Sequence, residues 1–331
     1  MTVRDSLEID TRAVDASDAP REIPDARNVA ESPYGQVLED PDRRREESAE
    51  SRQRVDGHWK SDRFEVNREE LGRFDLKRAG LSDMSIESGA KYIDENRASR
   101  PWLAMADRAC PEARRIIAAM DIAGVHPQIR HEGWVTEEAN RRRVTHREDP
   151  AQLDPEKRHL SIDGLRENDQ RHRCGELATR ITDPDAFATA FVRGVEHPKV
   201  REVMAMPFNT GKTPAAVIIP ITELLGSKGH EQCTGWQLEP VEGSVETARE
   251  RRNTWVTDRA QGRESRGPEP RAVPVQTFVG GAITFAFTRN EAEQRYGVVT
   301  MFVEPPRPQV TDSGSAIDPK EHHDGIVLLG T

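Results

Sequence analysis

Apolar residues are spread unevenly along the chain, and the unevenness predicts where it folds. In residues 1–57, Asp, Glu, Arg, Ala, Ser and Pro alternate with almost no aromatic or β-branched residue spaced to make a face. Ordering such a segment costs ~1–2 kcal/mol of backbone entropy per residue with little apolar burial in return. Residues 1–57 are therefore expected to be a disordered acidic arm. Residues 58–99 carry sparse apolar positions (Trp59, Phe64, Leu71, Phe74, Leu76, Leu81, Ile86 and Tyr92) and are expected to be a partly ordered linker with short helices. The first convincing core material follows, and residues 100–306 are expected to form one globular domain ahead of a flexible tail, 307–331.

Within that domain the helical signals come first. Pro101 suits a first helical position ahead of Trp102, Leu103 and Met105, and Pro111 restarts a helix carrying Ile116, Ile117 and Met120 that Gly124 stops. Thr136 can cap a helix running to Asp149, whose Arg141, Arg142, Arg143 and Arg147 predict a surface position. The strongest pattern is Asp183-Pro184, a cap and first-turn pair, with Phe187, Ala190, Phe191 and Val195 recurring behind it at helical spacing. Ala215 to Ile221 is an apolar run of strand length, and Ser244 can cap a helix through Trp255. Three β-rich runs close the domain, Val273 to Val279, Ala282 to Thr288 and Gly297 to Val303. The fold class predicted is α+β, a helical N-terminal half packed on a small twisted antiparallel sheet behind a long disordered arm.

Composition agrees that part of the chain lies outside a core. Of 331 residues only 35% are hydrophobic and 5% aromatic, against 32% charged. A net charge of −10 opposes general adhesion to phosphate backbones, so action on nucleic acid would need a discrete site. Three cysteines cannot form a disulfide framework, which points to folding in a reducing, cytoplasmic compartment. No run reaches the ~18 apolar residues of a membrane span, and the N-terminus MTVRDSLEID lacks a secretory signal. Export would use a route independent of such a peptide.

Few motifs carry chemistry. Gly211, Lys212 and Thr213 end like a phosphate-binding loop, but the glycine needed five positions before Gly211 is Met206, and Pro214 follows. His172 with Cys174 and His230 with Cys233 are two pairs of zinc-type ligands, an alternative to the reading of both cysteines as small buried hydrophobes. Cys110, in a helical apolar stretch, is expected in the core. His131, His146 and His172 lie in an arginine-rich stretch, and a histidine beside cationic groups is suited to acid-base cleavage of a phosphodiester. His172 stands out because Gly175, Thr179-Arg180 and the capped helix at Asp183 follow it.

The run HRCGELATRITDPDAFATAF, with the downstream strands AITFAF and YGVVTMFVEP, resembles C-terminal ribonuclease toxins of bacterial polymorphic and contact-dependent inhibition systems, in the barnase, EndoU, colicin and RelE-like fold class. The resemblance implies that His172 matches the family histidine and Thr300 the strand threonine, although Met301, Phe302 and Val303 stand where the family tends to show Ala-Tyr-Pro. It implies RNA as substrate, an immunity protein or delivery partner, and no cofactor. On that reading His172 or His131 moves the proton, Arg180 stabilises the phosphorane and Thr300 hydrogen-bonds a non-bridging oxygen. The rival reading is a non-enzymatic binding or structural module, zinc-stabilised through His172, Cys174, His230 and Cys233, whose arm recruits partners.

Overall fold

Leu71, Phe74, Leu76, Leu81 and Ile93 lie in the main hydrophobic core, although the sequence pattern places them in a partly ordered linker. They lie in or just after α1 (Arg68–Arg73), a 3-10 turn (Leu76–Ala79) and α2 (Ile86–Asn96). Asn67, Asp75 and Ser85 cap these elements with side-chain acceptors. Each element is too short to hold a core of its own, and each instead adds one or two residues to a core supplied mainly by later helices and strands. The folded unit therefore includes residues 66–99. The structure, a computed structural model, describes residues 66–206, 213–290, 295–306 and 326–329. The expected disordered arm, the Gly211–Lys212 pair and residues 307–325 of the expected tail lie outside the described residues.

The chain continues through a 3-10 helix (Pro101–Arg108), α3 (Pro111–Ile122), the one-turn α4 (Pro127–Arg130), α5 (Glu137–His146) and the short α6 (Pro155–Arg158). Strand β1 (Leu177–Ile181) leads into α7 (Pro184–Glu196) and α8 (Pro198–Ala205). The Asp183 carboxylate accepts from the Asp185 and Ala186 amides, each at 2.9 Å, which fixes the start of α7 as the Asp-Pro pair predicts. Next come β2 (Thr213–Pro220), α9 (Ile221–Leu225), β3 (Cys233–Leu238), α10 (Val245–Ala260) and β4 (Ala272–Pro274). The last strands are β5 (Ala282–Asn290), β6 (Arg295–Glu304) and β7 (Ile326–Leu329).

The class is α+β, but there are two small antiparallel sheets where the sequence predicts one. One sheet has the order β1-β3-β4 and the other β6-β5-β2-β7. The expected strand from Val273 to Val279 is shorter, Ala272–Pro274; the Val275 amide still donates to the Gly235 carbonyl at 2.9 Å, and Phe278 then turns into the core. Residues 326–329 of the expected tail form an edge strand on β2. Phe187, Phe191 and Val195 of α7 pack with Ile116 and Ile117 of α3, and with Ile283, Phe285, Met301 and Val303 from one face of the larger sheet. The helix expected on the surface, α5, is the main departure. It ends at His146, where Arg147 turns left-handed (φ 58°), and Asn140, Arg143, Thr145 and His146 are all buried. A periodicity argument treats polar side chains as solvent-facing, whereas here Arg143 donates to the Arg130 carbonyl and Thr145 to the Arg141 carbonyl inside the protein.

Candidate functional site

The site is built on α4, a single turn with a histidine at each end. Pro127 starts the turn, the His131 amide donates to the Pro127 carbonyl at 2.8 Å, and the Trp134 indole donates to the Ile129 carbonyl at 3.0 Å. The turn is pinned at both ends. At one end the His126 amide donates to the Val299 carbonyl of β6 at 3.2 Å; at the other the Ile181 amide of β1 donates to the His131 carbonyl at 3.1 Å. The β5–β6 register shifts at this place, with Ala286 opposite Thr300 and Phe287 opposite Val298. A bulge of this kind re-aims side chains. Here it puts Thr300 and Phe302 on the same strand face, away from the core residues Met301 and Val303.

The imidazole of His131 lies on the Phe302 ring, centroids 5.5 Å apart, and its Nδ1 is 3.4 Å from the Thr179 carbonyl oxygen. A carbonyl only accepts, so this contact favours the tautomer with the proton on Nδ1 and the lone pair on Nε2. Thr300 falls between the His126 anchor at Val299 and the His131 platform at Phe302, and its hydroxyl is buried without a protein partner. Burial, then the charge of Arg130 with Arg143 and Arg166 beyond it, pushes His126 down to about 3. Burial, then Arg143, His126 and Arg130, holds His131 well below the ordinary histidine value. Both imidazoles are neutral at neutral pH.

Behind α4 lies a buried ionic cluster. Arg130 donates to Asp149 from Nε at 2.9 Å and from Nη2 at 2.6 Å, and its Nη2 also reaches Asp163 at 2.7 Å. Asp149 accepts further from the Ala151 and Gly164 amides, and Asp163 from the Leu165 amide. Despite its burial, the Arg130 charge keeps Asp149 below the usual carboxylate range, while burial raises Asp163 against the same charge. His172 is 2% exposed, with Nδ1 3.6 Å from Asp149 and Nε2 unpartnered. Burial, opposed by Asp149, keeps it well below its ordinary value. Asp149, Asp163 and His172 offer ligand atoms within 4.8 Å of one another, but the guanidinium already occupies the carboxylates, so the arrangement reads as an ion-paired core of the 147–172 segment.

The residues singled out in the sequence part company. His131 and Thr300 come together across β6. His172 sits in the ionic cluster. Arg180 is on the α5 side of β1, where it donates to the Val135 carbonyl, to Glu137 and to the Thr234 hydroxyl at 3.1 Å. It fastens the start of α5 to the smaller sheet and has its charge already engaged. The expected zinc set does not assemble. The Cys174 thiol donates to the Arg143 carbonyl at 3.0 Å, the buried Cys233 thiol to the Gly229 carbonyl at 3.5 Å, and half-buried His230 lies against the Ser227 carbonyl. Among the described residues the one group of three or more potential metal-ligating side chains is the aspartate-histidine set above. These cysteines sit as small partly or fully buried groups, and burial pushes the Cys233 thiol up to about 12. Cys110 is in the core, as expected.

His126 is the member that sequence reasoning missed. The available signal was His126-Pro127, a proline suited to start a turn, five residues before His131. The chain matches no protein-family model, and no curated protein or solved structure shows significant similarity to it.

Proposed function

We propose that the folded unit is a metal-independent ribonuclease of the bacterial toxin type, with His131 and His126 as its acid-base pair. The observation that carries this reading is the placement of two neutral histidines at the two ends of α4, His126 bonded through its amide to Val299 of β6 and His131 lying on the Phe302 ring of the same strand, with Thr300 between those two positions and its hydroxyl without a protein partner. Cleavage next to a 2′-hydroxyl needs a base for that hydroxyl, an acid for the leaving 5′-oxygen and donors for the phosphorane oxygens. His131, with Nε2 as its lone-pair nitrogen, is the base and His126, once protonated, the acid. Thr300 donates to a non-bridging oxygen, and Arg143, within electrostatic reach of both imidazoles, supplies positive potential. His172 and Arg180 then have structural work: one in the ionic cluster, the other at the start of α5. Delivery into a competitor cell and an immunity protein covering the α4–β6 face belong to the same reading. Among the described residues no helix is long and apolar enough to cross a membrane.

The test is RNA cleavage by the full chain with a chelator present. Products ending in 2′,3′-cyclic phosphate are expected, with the optimum below neutrality because the acid must be charged. His131→Ala and His126→Ala should each lower the rate by ~10²–10⁴-fold, and Thr300→Val by less. Arg180→Ala should lower the melting temperature and leave the rate per folded molecule nearly unchanged. No cleavage of several unrelated RNAs by the wild type would overturn the proposal. That result would favour the non-enzymatic binding module, a reading to which the closed packing around His172 lends support.

A further inference from the structure

Thr179, next to Arg180 on β1, takes no part in the chemistry above, yet it stands where the two sheets meet. Its side chain is 2% exposed, and its hydroxyl donates to the Val303 carbonyl of β6 at 2.6 Å. Within the smaller sheet it pairs with Gly235. A Cβ on that glycine would lie 2.8 Å from the Thr179 Cγ2 and 2.8 Å from the Ala178 carbonyl oxygen. The glycine therefore leaves the room that the Thr179 methyl takes, and with the methyl seated there the hydroxyl is the group that reaches β6.

Contacts join this threonine to His131 in a closed circuit. The Thr179 hydroxyl holds Val303, and the adjacent Phe302 carries the His131 imidazole on its ring, centroids 5.5 Å apart. His131 Nδ1 faces the Thr179 carbonyl oxygen at 3.4 Å, and the Ile181 amide of the same strand donates to the His131 carbonyl at 3.1 Å. The backbone of His131 is thus fixed to β1, and its ring lies between β1 and β6. At 3.4 Å the Nδ1 contact is long, because N–H···O bonds centre on about 2.9–3.0 Å. A movement of a few tenths of an ångström between the two strands would break it. The short bond from the Thr179 hydroxyl to β6 opposes that movement.

We infer that Thr179 is a positioning residue for His131: by tying β1 to β6 it keeps its own carbonyl against Nδ1, so that the ring holds its proton there and presents Nε2 as the lone-pair nitrogen. For its effect on rate the inference rests on His131 being the base proposed above, but the tautomer is read without any substrate. Loss of the hydroxyl leaves the buried Val303 carbonyl without this donor and lets the strands part. A ring that has lost its carbonyl partner carries its proton on either nitrogen.

Imidazole nitrogen NMR shifts of the full chain test this at about pH 8, above the ordinary histidine range. The His131 signals are assigned by their absence from His131→Gln. Wild type should show His131 almost wholly protonated on Nδ1. Thr179→Val should give a mixture of the two tautomers, and Thr179→Ser, which keeps the hydroxyl, should restore the wild-type signal. Thermal unfolding shows whether each variant is folded; a Thr179→Val that is not folded is replaced by Thr179→Cys, whose thiol is a weaker donor, with the same mixture expected. In RNA cleavage, Thr179→Val should lower kcat by about 10–10²-fold with KM nearly unchanged, the loss expected of a misplaced base, and Thr179→Ser should recover most of it. A wild-type His131 protonated on Nε2 overturns the inference, and so does a folded Thr179→Val with the wild-type tautomer. The expected tautomers without RNA cleavage sink only the ribonuclease reading; RNA cleavage with an unaltered tautomer in Thr179→Val sinks only this one.

Discussion

Glu132 shows how far a single side chain can depart from what its type suggests. It is 0% exposed, neither carboxylate oxygen has a protein partner, and burial raises it well above the ordinary carboxyl value. Its neighbour Asp185 is raised to about 6, also chiefly by burial. A carboxyl raised in the folded state contributes fully below its unfolded value of 4.5 and loses that contribution as pH rises through the folded value. Glu132→Gln cannot ionise, so its stability relative to wild type should increase with pH. A gain of about 1–3 kcal/mol is expected near pH 8, with little change near pH 5. Denaturant unfolding of the pair at both pH values measures this, and a pH-independent difference would show that Glu132 finds a partner when ionised. The histidines run the other way. Held low by burial, they support the fold above 6.5, their unfolded value, and cease to as pH falls.

At the scale of elements, Arg130 organises the 147–172 segment. Two carboxylates from that segment converge on one guanidinium at the end of α4, and the same carboxylates accept the Ala151, Gly164 and Leu165 amides. Removing one partner of a buried ion pair strands the other charges. Arg130→Met should therefore cost about 3–5 kcal/mol, and the amides of Ala151, Gly164 and Leu165 should lose hydrogen-exchange protection ahead of α7. Adding Asp149→Asn and Asp163→Asn should recover part of that loss, because no charge is then left unpaired. A triple variant less stable than Arg130→Met would show that the aspartates hold the segment by something other than this pairing. The ionic cluster was hidden in the sequence for a plain reason. Arg130, Asp149, Asp163 and His172 are each ordinary surface residue types, separated by up to 42 positions, and nothing in their spacing says that the intervening chain folds back.

For the molecule as a whole, the question is where the cooperative unit begins. Leu71 is fully buried, and the Arg115 guanidinium of α3 donates to the Leu71 and Phe74 carbonyls at 3.2 and 2.8 Å. Arg193 of α7 forms an ion pair with Glu70 of α1 at 2.7 Å. Residues 66–99 are thus tied to α3 and α7 by core packing and by polar bonds. Leu71→Ala should destabilise the whole unit by about 2–5 kcal/mol, as large-to-small core substitutions do. Fluorescence and circular dichroism should move together to a lower midpoint. Two separate transitions would mean that residues 66–99 unfold on their own.

Local structure was legible in the residues alone: α3 behind Pro111, α7 behind Asp183-Pro184, the strands β5 and β6, and the core roles of Phe187, Phe191 and Cys110. Each depends on capping, proline geometry or periodicity, which act within a few residues. Sequence also supplied His131 and Thr300 as separate candidates. That His131 and Thr300 lie toward the same stretch of β6 as the His126 backbone depends on contacts outside the reach of local pattern: the His126 amide meets Val299 173 positions away, and the His131 carbonyl meets Ile181 50 positions away. Tertiary packing likewise set Arg180 against Val135, Glu137 and Thr234, set His172 beside Asp149, and gave Cys174, His230 and Cys233 separate carbonyl partners. A side chain's chemistry is fixed by its type, but its partners, burial and proton affinity are fixed by which distant segments pack against it.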